Sequence, residues 1–201
     1  MKSPKDKTTR GLFIIESLRR TDEDSRREGI IINQILKLSG SLPVIYIYIR
    51  TEQELSMALE EFRTSTYRYL HISCHGSSNS IALTLDHLHV DDLAQIIAPY
   101  LTGRRLFFSA CNVVNPLLAE SLMTKSECNS IIGPCQEINF DDALLMWASF
   151  YHLAFRDDNK SGLLGGKIRW ALRRIKHSFG QEFHYYRRTK TGWKQEDVEK
   201  R

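Results

Sequence analysis

Short apolar runs rich in branched residues alternate with amphipathic segments along this chain, and that order restricts the fold more than any other feature of the sequence. Gly11 to Leu18 (GLFIIESL) reads as a buried strand, followed by the charged loop RRTDEDSRREG and an apolar helix from about Ile30 to Leu38. Val44 to Ile49 is a second strand, and the helix after it places Leu55, Ala58, Leu59 and Phe62 on one face. Tyr67 to Ser73, the third strand, runs straight into Cys74-His75-Gly76. A polar turn, a short strand over Ala82 to Leu85 and a helix bearing Leu93, Ile96, Ile97 and Tyr100 follow. Arg105 to Ala110 is the fourth strand and ends at Cys111, after which Asn115-Pro116 supply the N-cap and first turn of a helix through Leu122. Ser130 to Gly133 is the fifth strand. Asp141-Asp142 then open a long helix with Leu144, Ala148, Tyr151 and Phe155 on one face, and beyond the loop RDDNKSGLLGG a last helix aligns Ile168, Ala171, Leu172 and Ile175.

Parallel strands need crossovers, and helical crossovers cover the sheet they span. The alternation therefore predicts an α/β three-layer sandwich: a mainly parallel sheet of about six strands with helices on both faces. At 201 residues the chain suits one core, read as a single domain over 11–187 with a basic N-terminal segment, 1–10, and a basic C-terminal tail, 188–201.

Composition excludes several classes. No stretch approaches the roughly 18 apolar residues of a membrane span, and the start, MKSPKDKTTR, lacks the apolar segment of a secretory signal, so a cytoplasmic protein without a membrane partner is expected. Cys74, Cys111, Cys128 and Cys135 form no C-x-x-C pair and no His/Cys spacing typical of zinc; neither a metal nor any other cofactor is expected. The net charge of +4 comes from residues 167 to 201, which hold eleven Lys/Arg and four Asp/Glu. Interleaved with Tyr185, Tyr186 and Trp193, these cations invite a nucleic-acid reading. A solvated helix face followed by an edge strand explains them as well, and no Gly-rich phosphate loop follows any strand, so nucleic acid is not the expected partner.

In an open α/β sheet functional groups collect at the carboxyl ends of the strands. Two such ends bear reactive side chains here, His75 after the third strand and Cys111 after the fourth, 36 residues apart, a separation that suits one crossover. A thiol is a poor nucleophile until deprotonated, and a neighbouring imidazole supplies the base and later the acid. Gly76 lets its N–H approach a substrate closely, and the Cys111 N–H is a second donor for an oxyanion hole. His71, on the same strand face, reads as structural support. Cys74 points away into the core.

The strings Leu70-His71-Ile72-Ser73-Cys74-His75-Gly76 and Phe107-Phe108-Ser109-Ala110-Cys111 resemble the paired histidine and cysteine motifs of CHAT domains, relatives of caspases and separase. Ile131-Ile132-Gly133-Pro134, Asp141-Asp142 and Phe150-Tyr151-His152-Leu153 resemble the strand, acidic turn and helix that follow the cysteine in those proteins. The resemblance implies a caspase-like fold and a cysteine endopeptidase acting through a His75/Cys111 dyad on a protein substrate. By kinship, that substrate is a defence or cell-death effector such as a gasdermin-like protein. It differs in that Asn112-Val113-Val114 follow the cysteine where relatives commonly have a nearby glycine, which motivates an alternative: a caspase-fold interaction module without turnover.

Specificity stays open at this level. Caspases place a glutamine two positions before the cysteine for an acidic P1 residue and metacaspase-like enzymes an acid there for a basic one; Ser109 occupies that position and selects neither. Arg19 or Arg20, in the loop after strand one, would serve an acidic P1, whereas Asp141 or Asp142, equally explained as helix N-terminal acids, would serve a basic one. The segment from Cys111 to the fifth strand is filled by a helix and leaves no long linker to cleave, so an activating protein partner is a more natural control than self-cleavage.

Overall fold

The computed structural model describes residues 8–156 and 162–199. Ten strands and six α-helices are present among them: β1 (Thr9–Glu16), α1 (Glu28–Ser39), β2 (Val44–Tyr48), α2 (Glu52–Ser65), β3 (Tyr67–Ser73), β4 (His75–Gly76), β5 (Ser80–Ala82), β6 (His87–His89), α3 (Val90–Ile97), β7 (Arg105–Ser109), α4 (Pro116–Lys125), β8 (Ser130–Pro134), α5 (Phe140–Phe155), α6 (Gly165–Phe179), β9 (Phe183–Arg188) and β10 (Trp193–Gln195). The seven-stranded sheet runs β10-β9-β8-β7-β3-β1-β2, with β2, β1, β3, β7 and β8 parallel.

Period-two alternation sorts the core into two layers. On β1, Leu12 and Ile14 face α1, α5 and α6; Phe13 and Ile15 face α2, α3 and α4. On β3 and β7, Tyr69 and Phe107 join the first layer, Leu70, Ile72, Leu106 and Phe108 the second. The first is strongly aromatic: Phe107, Trp147, Phe150 and Tyr151 pack with ring centroids 5.5 to 5.9 Å apart. This is the expected three-layer α/β sandwich.

Several elements differ from expectation. The sheet has one strand more than about six, because β9 and β10 extend it antiparallel from β8. Helix α6 stops at Gly180, whose φ of 68° only glycine adopts at no cost, and the chain turns back at once into β9. Trp193–Gln195, within the stretch set apart as a tail, is the edge strand β10. The strand expected over Ala82 to Leu85 lies earlier, at Ser80–Ala82, and forms with β4 and β6 a separate three-stranded sheet. The N-terminal segment falls largely outside the described residues, as does the middle of the loop after α5.

Tyr185 and Tyr186 are buried, and Trp193 packs edge-on against Tyr186. Arg169, Arg187 and Lys194 converge on Glu196. Tyr185 and Tyr186 thus belong to the core, and Arg169, Arg187 and Lys194 are paired within the fold. No described helix is long and apolar enough to cross a membrane.

Candidate active site

Strands β1, β3 and β7 present their carboxyl ends at one rim of the sheet, between the N-termini of α1 and α5. A cleft of about 170 Å³ opens there, lined by Arg26, Glu28, Ser73, Cys74, His75, Ser109, Ala110, Cys111, Ile138, Asn139, Phe140 and Ala143. His75, Cys111 and Ser109 therefore share one cleft. His75 sits in β4, past the end of β3, joined to β7 where the Cys74 N–H donates to the Ser109 carbonyl at 3.1 Å.

The imidazole is held on two sides. Its Nε2 lies 2.9 Å from Asp22 Oδ2, and its ring meets the Phe140 ring edge-on at 5.3 Å. A carboxylate accepts, so Nε2 donates, and Nδ1 is the nitrogen left basic. Asp22 belongs to the β1–α1 loop, where its carbonyl accepts from the N–H groups of Ser25 and Arg26. Next to it, Glu23 accepts from Tyr48 Oη at 2.9 Å and Arg50 Nε at 2.7 Å, and the Arg50 guanidinium holds its carboxyl below the usual range. Arg26 spans the rim, 3.5 Å from Asp22 Oδ1 and 5.1 Å above the Phe140 ring.

Cys111 is half-buried, and its Sγ lies 3.7 Å from the Ile138 carbonyl. The turn bearing it is keyed into place. Asn112 adopts φ 56°, a left-handed conformation that asparagine tolerates better than most other side chains. Val113 and Val114 are fully buried. Each fills the space beside a glycine: a Cβ on Gly76 would overlap Val113 Cγ2, and one on Gly133 would lie 2.5 Å from Val114 Cγ2. Asn115 caps α4 by accepting from the N–H groups of Leu117 and Leu118 and donates to the Asn112 and Ser78 carbonyls. His184 of β9 reaches the Val114 carbonyl at 2.6 Å.

Beneath the cleft lies a buried polar layer. Glu28, 3% exposed, accepts from Ser73 Oγ at 2.8 Å. His71 is fully buried, pairs through Nδ1 with Tyr151 Oη at 2.7 Å and directs Nε2 toward Glu28 from 3.9 Å. Glu16 accepts from the Gly29 N–H and Tyr46 Oη, and burial pushes its carboxyl up to about 7. His71 thus lies in this layer, while Cys74 packs in the opposite core, where burial drives its thiol upward. Cys128 is buried, its thiol pushed up to about 11, and Cys135 lies apart between β8 and α6.

The other residues singled out from sequence scatter. Ser109 faces the cleft at 5% exposure. Asp141 lines an adjoining cleft of about 540 Å³ together with Ser25, Arg26, Glu28, Asn139 and Phe140, whereas Asp142 lines neither. Arg19 and Arg20 are exposed and outside both linings. Sequence reasoning missed Asp22, Glu28 and Phe140. Glu28 and Phe140 are the first residues of α1 and α5, whereas Asp22 sits earlier, in the turn of the β1–α1 loop.

No family model matches the chain, and no curated protein matches it in sequence. Solved structures do. The complex of Porphyromonas gingivalis RgpB pro- and mature domains superposes with a TM-score of 0.57 at 13% identity, covering 86% of this chain and 45% of that one. Caspase-1 from Spodoptera frugiperda gives a TM-score of 0.46 at 16% identity, covering 77% and 74%. This chain spans less than half the length of the RgpB chain it matches. At such identities the likeness is one of fold: the protein has a caspase-like α/β fold with a mainly parallel seven-stranded sheet.

Proposed function

We propose that the protein is a cysteine endopeptidase in which Cys111 is the nucleophile, His75 the base and acid, and Asp22 the group that orients His75. One observation carries the reading: a thiol and an imidazole carried just beyond the carboxyl ends of the neighbouring parallel strands β7 and β3 line one cleft, and the imidazole is held at Nε2 by a carboxylate. The fold is consistent with it, since such folds host cysteine peptidases, but the assignment rests on the cleft.

In this scheme His75 Nδ1 takes the thiol proton, and the thiolate attacks the peptide carbonyl. The tetrahedral oxyanion is met by the N–H groups of Gly76 and Cys111. Collapse breaks the C–N bond as His75 returns the proton to the leaving amine, leaving a thioester at Cys111. Water, deprotonated by His75, then hydrolyses that thioester and restores the thiol. The left-handed Asn112 removes the objection that this turn lacks a glycine, which weakens the reading as an inactive module.

The test is proteolysis of candidate protein substrates, first among them the products of neighbouring genes, by wild type beside Cys111→Ala and His75→Ala, with and without candidate activating partners. Loss of cleavage and of labelling by electrophilic thiol probes in both variants, with the fold retained, supports the dyad. Cleavage that survives either substitution excludes it.

A further inference from the structure

The cleft beside Cys111 contains a carboxylate with no cation to match it. Glu28 lies at the first turn of α1, where the helix dipole favours an anion, yet it is almost wholly removed from solvent. Its one close donor is the neutral hydroxyl of Ser73. The nearest nitrogen of a basic side chain, His71 Nε2, is 3.9 Å away, and among the described residues no lysine or arginine pairs with it. A buried carboxylate without a counter-ion is costly, and a cation delivered into the same space offsets that cost. Glu28 also lines the adjoining cleft with Asp141, so both volumes that meet at Arg26, Asn139 and Phe140 carry an acid.

Among the described residues Arg26 is the one arginine or lysine lining this cleft, and it is already engaged. Arg26 pairs with Asp22 and lies over Phe140, and its side chain is 55% exposed, which places its charge at the mouth rather than the floor. Arg19 and Arg20 lie outside the lining. An acidic side chain entering the cleft would therefore face Glu28 at low dielectric without a cation beside it, while a guanidinium or ammonium would meet Glu28, Ser73 and Ser109 as acceptors.

We propose that Glu28 is the specificity-determining residue of this cleft and selects a basic side chain, arginine or lysine, at the position whose carbonyl Cys111 attacks. The proposal rests on the peptidase reading, and two independent measurements keep the failures of the two apart. The first compares matched peptides with Arg, Lys, Gln, Leu or Asp at that position, cleaved by wild type and by Glu28→Gln, which preserves the shape and the Ser73 contact. The expected result is kcat/KM for Arg and Lys about 100-fold or more above Asp, and in Glu28→Gln a fall of about 100-fold in the preference for Arg and Lys over Gln and Leu. Cleavage after Asp or Leu in preference to Arg overturns the proposal and leaves the peptidase reading standing. The second uses Cys111→Ala and measures binding of product-like peptides ending in a C-terminal arginine or aspartate. Arginine-selective binding that Glu28→Gln abolishes supports the assignment of Glu28 even where no peptide is cleaved, and equal binding of both peptides overturns it.

Discussion

Val113 occupies the space that a side chain on Gly76 would need, so the turn bearing Cys111 and the strand bearing His75 are fitted to each other through a residue that has no Cβ. The Cys111 carbonyl also stands 3.1 Å from that missing Cβ. Gly76→Ala is expected to destabilise the fold by about 1–3 kcal/mol through overpacking and to slow alkylation of Cys111. Val113→Ala alone opens a cavity and costs about 2 kcal/mol. Combined, the two exchange volume and are less harmful than their sum, a coupling read from urea unfolding of the double-mutant cycle. Strict additivity would show that the two residues are not fitted to each other.

Asp22 orients His75 through the 2.9 Å hydrogen bond at Nε2. Asp22→Asn keeps a carbonyl acceptor but loses the charge that stabilises an imidazolium, and it permits the amide to flip. Turnover is expected to fall about 10- to 100-fold, with a parallel fall in the rate of iodoacetamide labelling at Cys111. KM should change little, because Asp22 does not line the cleft. A variant with wild-type kcat would remove Asp22 from the mechanism.

Asn112 at φ 56° makes a separate prediction. Glycine at this position is expected to leave stability within about 0.5 kcal/mol of wild type, whereas valine, branched at Cβ and poorly suited to the left-handed region, costs about 1–3 kcal/mol. Guanidinium unfolding of the two variants measures the difference. If Asn112→Val is as stable as Asn112→Gly, the turn at Cys111 does not depend on this conformation.

The layer order was legible because each buried strand is a short branched run and each crossover a patterned helix, and both signals are local. His75 and Cys111 were legible for the same reason: they stand at strand ends, and parallel strands put those ends at one rim. What could not be read was anything set by contacts distant in sequence. Asp22 reaches His75 across 53 residues and Glu28 reaches Ser73 across 45, pairings that no periodicity encodes. An edge strand after the last helix was legible, but not that two antiparallel strands, β9 and β10, follow it. Their sequence, FHYYRR and WKQ, carries charge into an edge position, which resembles a solvated tail until Glu196 gathers the cations. Val113 and Val114 stand out in sequence only as apolar residues after the cysteine; their fit to Gly76 and Gly133 appears only when the turns are brought together.

Glu16, fully buried at the carboxyl end of β1, makes stability depend on pH in a direction opposite to that of an exposed ion pair. Burial raises its carboxyl from 4.5 to about 7, and the Glu28 charge pushes the same way. Between those values the folded protein holds a proton that the unfolded chain has released, so each rise in pH favours unfolding. Stability attributable to Glu16 is therefore complete below about 4.5, declines as pH rises to about 7 and is level beyond it, for a total of about 3 kcal/mol. Carboxylates held low by cations work in reverse: Glu23, hydrogen-bonded to Arg50, contributes above about 4.5 and is lost as pH falls through its lowered value. The contributions of these two groups taken together are fullest near the acidic end of the range between 4.5 and 7. Glu16→Gln retains one acceptor for the Gly29 N–H and removes the titration, so the decline in urea midpoint from pH 5 to pH 8 should largely disappear. A slope that persists unchanged in that variant would assign it to another group and leave Glu16 as an ordinary buried acceptor.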